Sequence, residues 1–135
     1  MDDLEKRRIL VVDDDEEVLR WFKRAAEAAG YEVVQAVSGA VGLDLAGRDR
    51  FDLILLDISL PAMDGRDVLR RLKMNPRTGD VPVLVHSGST NLYDRRIVLE
   101  LGAEDFAEKP VDPSSLIQQI GSLIRKARHR APQRQ

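Results

Sequence analysis

Three short apolar runs, separated by stretches with helical spacing and each leading into an acidic or hydroxyl residue, predict an α/β domain built on a doubly wound parallel sheet. The runs are Ile9-Leu10-Val11-Val12, Leu53-Ile54-Leu55-Leu56 and Val83-Leu84-Val85. None alternates with polar residues, so each must bury both of its faces, as strands do when helices cover a parallel sheet on both sides. Two shorter, mixed segments at 32–36 and 104–107 read as lesser strands. Strand and helix then alternate five times, a pattern that right-handed crossovers turn into a single layered domain.

The helices follow in order. After the first run, Val18, Phe22, Ala25, Ala26 and Ala29 recur at helical spacing, and Gly30 stands where that helix would end. Residues 39–48 read as a weak helix, because Gly42 in a helix interior costs roughly 1 kcal/mol against Ala. Val68, Leu69 and Leu72 mark the third helix, closed before Asn75-Pro76, and Ile97, Val98 and Leu101 mark the fourth, followed by Gly102. The fifth opens with Asp112 as N-cap and Pro113 in its first turn, and offers Leu116, Ile117, Ile120, Leu123 and Ile124 to a core. It ends in the basic stretch Arg125-Lys126-Ala127-Arg128-His129-Arg130.

The 135 residues fit one domain: a charged N-terminal extension over 1–7, the domain over 8–128, and a basic tail or linker start over 129–135. A net charge of -2 argues against nucleic-acid binding by the domain as a whole, and the basic helix end reads as a solvated one. The absence of cysteine excludes disulfides and thiolate metal sites. The first eight residues hold no apolar signal core, and four residues is the longest apolar run, too short to span a membrane. A soluble cytoplasmic protein is the expectation.

Ligands of open α/β sheets sit beyond the carboxyl ends of the strands. There the sequence places Asp13, Asp14 and Asp15 after the first strand, Asp57 after the third, His86 and Ser87 at the fourth, and Lys109-Pro110 after the fifth. Clustered carboxylates repel and need a counter-charge. Oxygen ligands in small number suit Mg²⁺ that keeps some of its waters and meets a phosphate. A carboxylate can act as the nucleophile in phosphoryl transfer, giving an aspartyl phosphate. The Lys109 ammonium and the Ser87 hydroxyl can meet the phosphoryl oxygens. An X-Pro step at Lys109-Pro110 permits a cis peptide that would aim Lys109 inward.

These residues and their spacing resemble the response regulator receiver domains of two-component signalling. The resemblance rests on Ile9 to Asp14, on the block from Leu55 through Asp57 to Asp64-Gly65, on Ser87-Gly88, and on Gly102-Ala103 with Lys109-Pro110. It covers residues 8–128. It implies a flavodoxin-like five-stranded sheet of order 2-1-3-4-5 with five helices, and a histidine kinase or histidine phosphotransfer protein as phosphoryl donor. It implies Asp57 as phosphoacceptor, Asp14 as direct Mg²⁺ ligand, Asp13 as a ligand through water, and the Ser59 carbonyl as a further ligand. Ser87 matches the switch hydroxyl, Lys109 the phosphate-pairing lysine and Phe106 the aromatic switch. On phosphorylation Ser87 would move toward the phosphoryl group and vacate space beneath the last two helices for Phe106. The face of the fourth helix, fifth strand and fifth helix, with Arg95, Arg96, Glu104 and Phe106, would then dock an output protein or a second copy. Such a domain catalyses its own phosphorylation and hydrolysis and is not counted an enzyme.

Some of these residues also have plainer uses. Asp15, Glu16 and Glu17 place negative charge at a helix start, and Asp64-Gly65 is a turn. Ser59 and Ser89 occupy the variable positions that flank the site. His86 stands where the family pattern has an apolar residue, and reads as a packed strand residue rather than a ligand. Two other functions compete: a receiver-like interaction module that works without phosphorylation, and a cofactor enzyme on the same fold. The module would lack an acidic or lysine residue, and this chain lacks none. A flavin site would want a hydroxyl-rich phosphate loop where three aspartates stand, and no G-x-x-x-x-G-K-[ST] loop is present.

Overall fold

The computed structural model describes residues 6–60, 62–88 and 92–130. The elements alternate as β1 (Arg8–Val12), α1 (Glu16–Ala28), β2 (Glu32–Ala36), α2 (Gly39–Arg48), β3 (Leu53–Leu56), α3 (Gly65–Met74), β4 (Val83–Ser87), α4 (Leu92–Glu100), β5 (Asp105–Glu108) and α5 (Pro113–Arg130). All strands pair in parallel in the order β2-β1-β3-β4-β5. Residues 1–5 of the expected N-terminal extension, Ser89, and residues 131–135 of the expected tail lie outside the described residues.

The apolar runs divide as buried strands should. Leu10, Val12, Ile54, Leu56, Val83 and Val85 face α2, α3 and α4 in one cluster. Ile9, Val11, Leu53, Leu55 and Leu84 face α1 and α5 in the other. Alternation within each run thus feeds two cores rather than a core and solvent. At about 25 cal/mol per Å² of buried apolar surface, this double burial dominates the stabilisation of the fold.

Capping chemistry sets where the helices start. Asp15 accepts from the Glu17 N–H at 2.9 Å, Ser38 from the Val41 N–H at 3.2 Å, Asp64 from the Arg66 N–H at 2.9 Å and Asp112 from the Ser115 N–H at 3.1 Å. Two local details differ from the expectations, and a third adds to them. On α1 the buried stripe includes Leu19, whereas Ala29 is exposed, because the helix stops at Ala28 and the chain turns through Gly30 at φ 99°. The fifth strand runs one residue later than 104–107, because the Glu104 N–H already bonds the Val83 carbonyl at 2.9 Å and the ladder starts at Asp105 opposite Leu84. Gly42 is the close-approach point of α2 on β1, since a Cβ there would lie 2.8 Å from Val12 Cγ2. Its helical cost therefore brings a tighter helix–sheet contact. Among the described residues no helix is long and apolar enough to cross a membrane.

Candidate phosphoacceptor site

The acidic residues sit at strand ends because the backbone ladder runs one step past the apolar runs. The Asp13 N–H bonds the Ala36 carbonyl and the Asp57 N–H bonds the Val12 carbonyl, each at 3.0 Å, while the Lys109 N–H bonds the Ser87 carbonyl at 2.9 Å. Asp13, Asp57 and Lys109 are thereby delivered to one edge of the sheet. Carboxylate oxygens of Asp13, Asp14 and Asp57 lie within 4.8 Å of one another. Asp13 and Asp57 are 2% and 6% exposed, whereas Asp14 faces solvent.

Lys109 reaches into this cluster across a cis Lys109-Pro110 bond. Its ammonium donates to Asp13 Oδ2 at 2.8 Å and to Asp57 Oδ2 at 3.2 Å. Burial by itself would lower the lysine, but the bond to Asp13 and the charges of Asp57 and Asp13 outweigh it and hold the ammonium above its ordinary range. Burial raises the Asp13 carboxyl, and Lys109 and the Asp15 N–H oppose it only in part. The short contact to a cation that also holds Asp57 favours the charged pair. Three carboxylates face a single ammonium, so acidic groups are in surplus in the cluster. A divalent cation matches that surplus, and the exposed Asp14 leaves the cluster open for its waters.

The remaining polar contacts hold Asp57 still. Its Oδ1 accepts the Ser59 N–H at 2.9 Å. The Ser59 and Ser87 hydroxyls lie 3.2 Å apart, so the last residue of β4 touches the loop after β3. Ser87 is fully buried, on the α4 side of the sheet. Sequence reasoning singled out both serines but not their contact, which only the β3–β4 pairing produces.

The amino-acid sequence matches the family model for the response regulator receiver domain over residues 9–121. This chain belongs to the response regulator receiver family. The receiver is 43% identical over 118 residues to the response regulator PleD of Caulobacter vibrioides, covering 87% of this chain and 26% of that protein. It is 38% identical to the DNA-binding dual master transcriptional regulator RpaA of Synechocystis, covering 93% of this chain and 52% of that one. The chain thus spans a quarter to a half of these curated relatives. Among solved structures, a CheY-like receiver domain protein from Methanospirillum hungatei superimposes with a TM-score of 0.86 at 32% identity, covering 93% of this chain and 98% of that one.

Phe106 lies on the α4 side of β5. It is buried in the cluster beneath α4, with Val98 and Ala103, and the Arg95 guanidinium lies 5.2 Å from its ring centroid. The space it fills is not shared with α5, because alternation along β5 turns Ala107 toward α5 and Phe106 away from it. His86 likewise points to the α1 and α5 side, where Trp21 meets it edge-on at 6.1 Å. It is packed, as expected. Its complete burial, however, follows from a neighbour on α1 that no strand pattern reveals.

Proposed function

We propose that this receiver accepts a phosphoryl group on Asp57 from a histidine kinase or histidine phosphotransfer protein and changes its partner-binding face in response. The single observation that carries the reading is the convergence of Asp57 with Lys109, Asp13 and Asp14 at one sheet edge, in a chain of this family. A carboxylate oxygen of Asp57 forms the bond to phosphorus as the donor's bond to phosphorus breaks, and that bond's electron pair leaves with the donor. The Ser59 N–H fixes the rotation of the carboxylate, and Lys109 stays beside the oxygens on which charge accumulates. Asp14, Asp57 and the Ser59 carbonyl would hold Mg²⁺, with Asp13 reached through water. When bound, the ion would offset the charge of the acidic cluster and of the incoming phosphate. The residues act on the domain's own carboxylate, so the chain serves as a signalling domain of the cytoplasm rather than as an enzyme. We take 8–128 as its extent.

The test is intact mass after incubation with acetyl phosphate. One added phosphoryl group is expected with Mg²⁺ and none after Asp57→Asn, and Asp14→Ala should slow the addition by at least about tenfold, as loss of a metal ligand does. An adduct that survives Asp57→Asn would refute the assignment. Failure with every donor would favour a module that works without phosphorylation.

The response begins at Ser87. A phosphoryl group on Asp57 draws the hydroxyl away from Ser59, and only contacts that differ between the two states can shift the equilibrium. Phe106 and Arg95 carry the change to α4, which with β5 and α5 forms the face for an output protein or a second copy. Amide shifts induced by beryllofluoride should therefore extend to Arg95 and Phe106. Ser87→Ala should mute those distant shifts while leaving Mg²⁺ binding in place; undiminished distant shifts would remove Ser87 from the coupling.

A further inference from the structure

The two edges of the sheet differ. β5 carries exposed Asp105 and Glu108, charges of the kind that guard an edge, and Gln119 of α5 reaches over to Asp105 at 3.1 Å. β2 is open. The Glu32 N–H bonds the Arg7 carbonyl, and the Ala36 carbonyl accepts the Asp13 N–H, so Glu32, Val34 and Ala36 turn their backbone groups toward β1. Alternate residues of a parallel strand turn theirs to opposite sides. The N–H and C=O of Val33 and Gln35 therefore point outward, where no strand and no other described residue bonds them.

Along this edge runs a groove of ≈ 570 Å³ walled by Leu19, Arg20, Lys23 and Arg24 of α1 and by Gln35 and Val37. Val37 is 55% exposed. Two acidic residues also line the groove, and both are accounted for. Glu27 pairs with Lys23 at 3.0 Å, and Glu16 stands in the first turn of α1, where the helix N-terminus favours it. Arg20 and Arg24 have no ion-pair or hydrogen-bond partner among the described residues.

We propose that β2 accepts one further strand, an extended acidic segment of a partner protein whose alternate side chains place carboxylates on Arg20 and Arg24. Main-chain bonds to an open edge supply affinity in this mode of recognition, and alternate side chains supply specificity. Val33 packs on the α1 side of the sheet, and Gln35 bonds the Leu19 carbonyl of α1 at 2.9 Å. Alternate side chains of an added strand thus face α1 as well. Arg20 and Arg24 are roughly 6 Å apart along the helix axis. Next-but-one residues of a strand are about 6.6 Å apart, so acidic residues at alternate positions match both arginines.

The probe is the blocked hexapeptide Thr-Glu-Val-Glu-Val-Thr, titrated into the full chain, with glutarate as the dianion that lacks a peptide backbone. Saturable binding is expected, with amide shifts centred on Arg20, Arg24, Gln35 and Val37 and slower hydrogen exchange at the Val33 and Gln35 N–H groups. Replacing both glutamates of the peptide by glutamine should weaken binding about tenfold, the ratio that two exposed ion pairs provide. Arg20→Gln combined with Arg24→Gln should do the same, and both side chains are exposed, so the variant keeps its fold. Four results would overturn the proposal: no saturable response, shifts centred elsewhere, unchanged exchange at Val33 and Gln35, or glutarate binding as tightly as the peptide, which would mean an anion site without strand pairing. Shifts along β2 that grow with the concentration of the chain alone would give the edge to a second copy and overturn it as well.

Discussion

Gly65→Ala is expected to destabilise the domain by about 3 kcal/mol and to slow phosphoryl acceptance at Asp57, although it adds only a methyl group. A Cβ at Gly65 would lie 2.2 Å from Ile58 Cα and 2.8 Å from the Asp57 carbonyl oxygen. Both neighbours are backbone, so no rotamer change can relieve the clash. The Gly65 N–H also donates to the Ile58 carbonyl at 3.1 Å, which ties the start of α3 to the segment that carries the acceptor. Either α3 must move away or Asp57 must shift with the strand end. Overpacking of a fitted site costs roughly 1–3 kcal/mol, and immovable neighbours put this case at the upper end. Urea denaturation would show a lower midpoint at unchanged slope. A variant within about 0.5 kcal/mol of the parent, the range of neutral surface changes, would show that the contact is not tight.

Acid should weaken the domain through His86. Burial, then the charge of Lys109, pushes this imidazole down to about 4, against a weaker upward pull from Asp57. The unfolded chain titrates near the ordinary value of about 6.5. Between those values the unfolded state takes up a proton that the folded state refuses, so stability falls as pH falls. The contribution is fully present above about 6.5 and, at about 1.4 kcal/mol per unit, roughly 3 kcal/mol of it is gone by pH 4. Asp13 acts in the opposite sense: burial raises its carboxyl, so its cost in the folded state is relieved as it protonates. The difference between the wild type and His86→Leu isolates the histidine. Denaturant midpoints at pH 7, 5.5 and 4.5 should converge or cross in favour of the variant as pH drops. Parallel pH profiles for the two chains would rule out a depressed His86.

Much of this was legible in the amino-acid sequence, for a physical reason. Both-face burial leaves a signature that needs no tertiary knowledge, so Ile9 to Val12, Leu53 to Leu56 and Val83 to Val85 announce a covered parallel sheet. Chemistry in such sheets gathers at the carboxyl ends of strands. The positions of Asp13, Asp14, Asp57, Ser87 and Lys109 were therefore open to reading, whereas the strand order came from the family resemblance. Element boundaries were less so at β5, where one backbone bond from Glu104 shifts the start of the ladder by a residue.

What the sequence by itself determined, then, is the layering, the element order and the set of reactive side chains, because these depend on local periodicity and on residue type. Only the tertiary structure decided which of them touch. The Ser59–Ser87 contact needs β3 beside β4, and the fit of Gly42 needs α2 laid on Val12. The place of Phe106 under α4 alone depends on which face an edge strand turns inward. The isolation of His86 depends on Trp21 from α1, sixty-five residues away in sequence, closing over it. Contacts between distant segments are set by how elements stack, and no local pattern encodes a neighbour that arrives from another part of the chain.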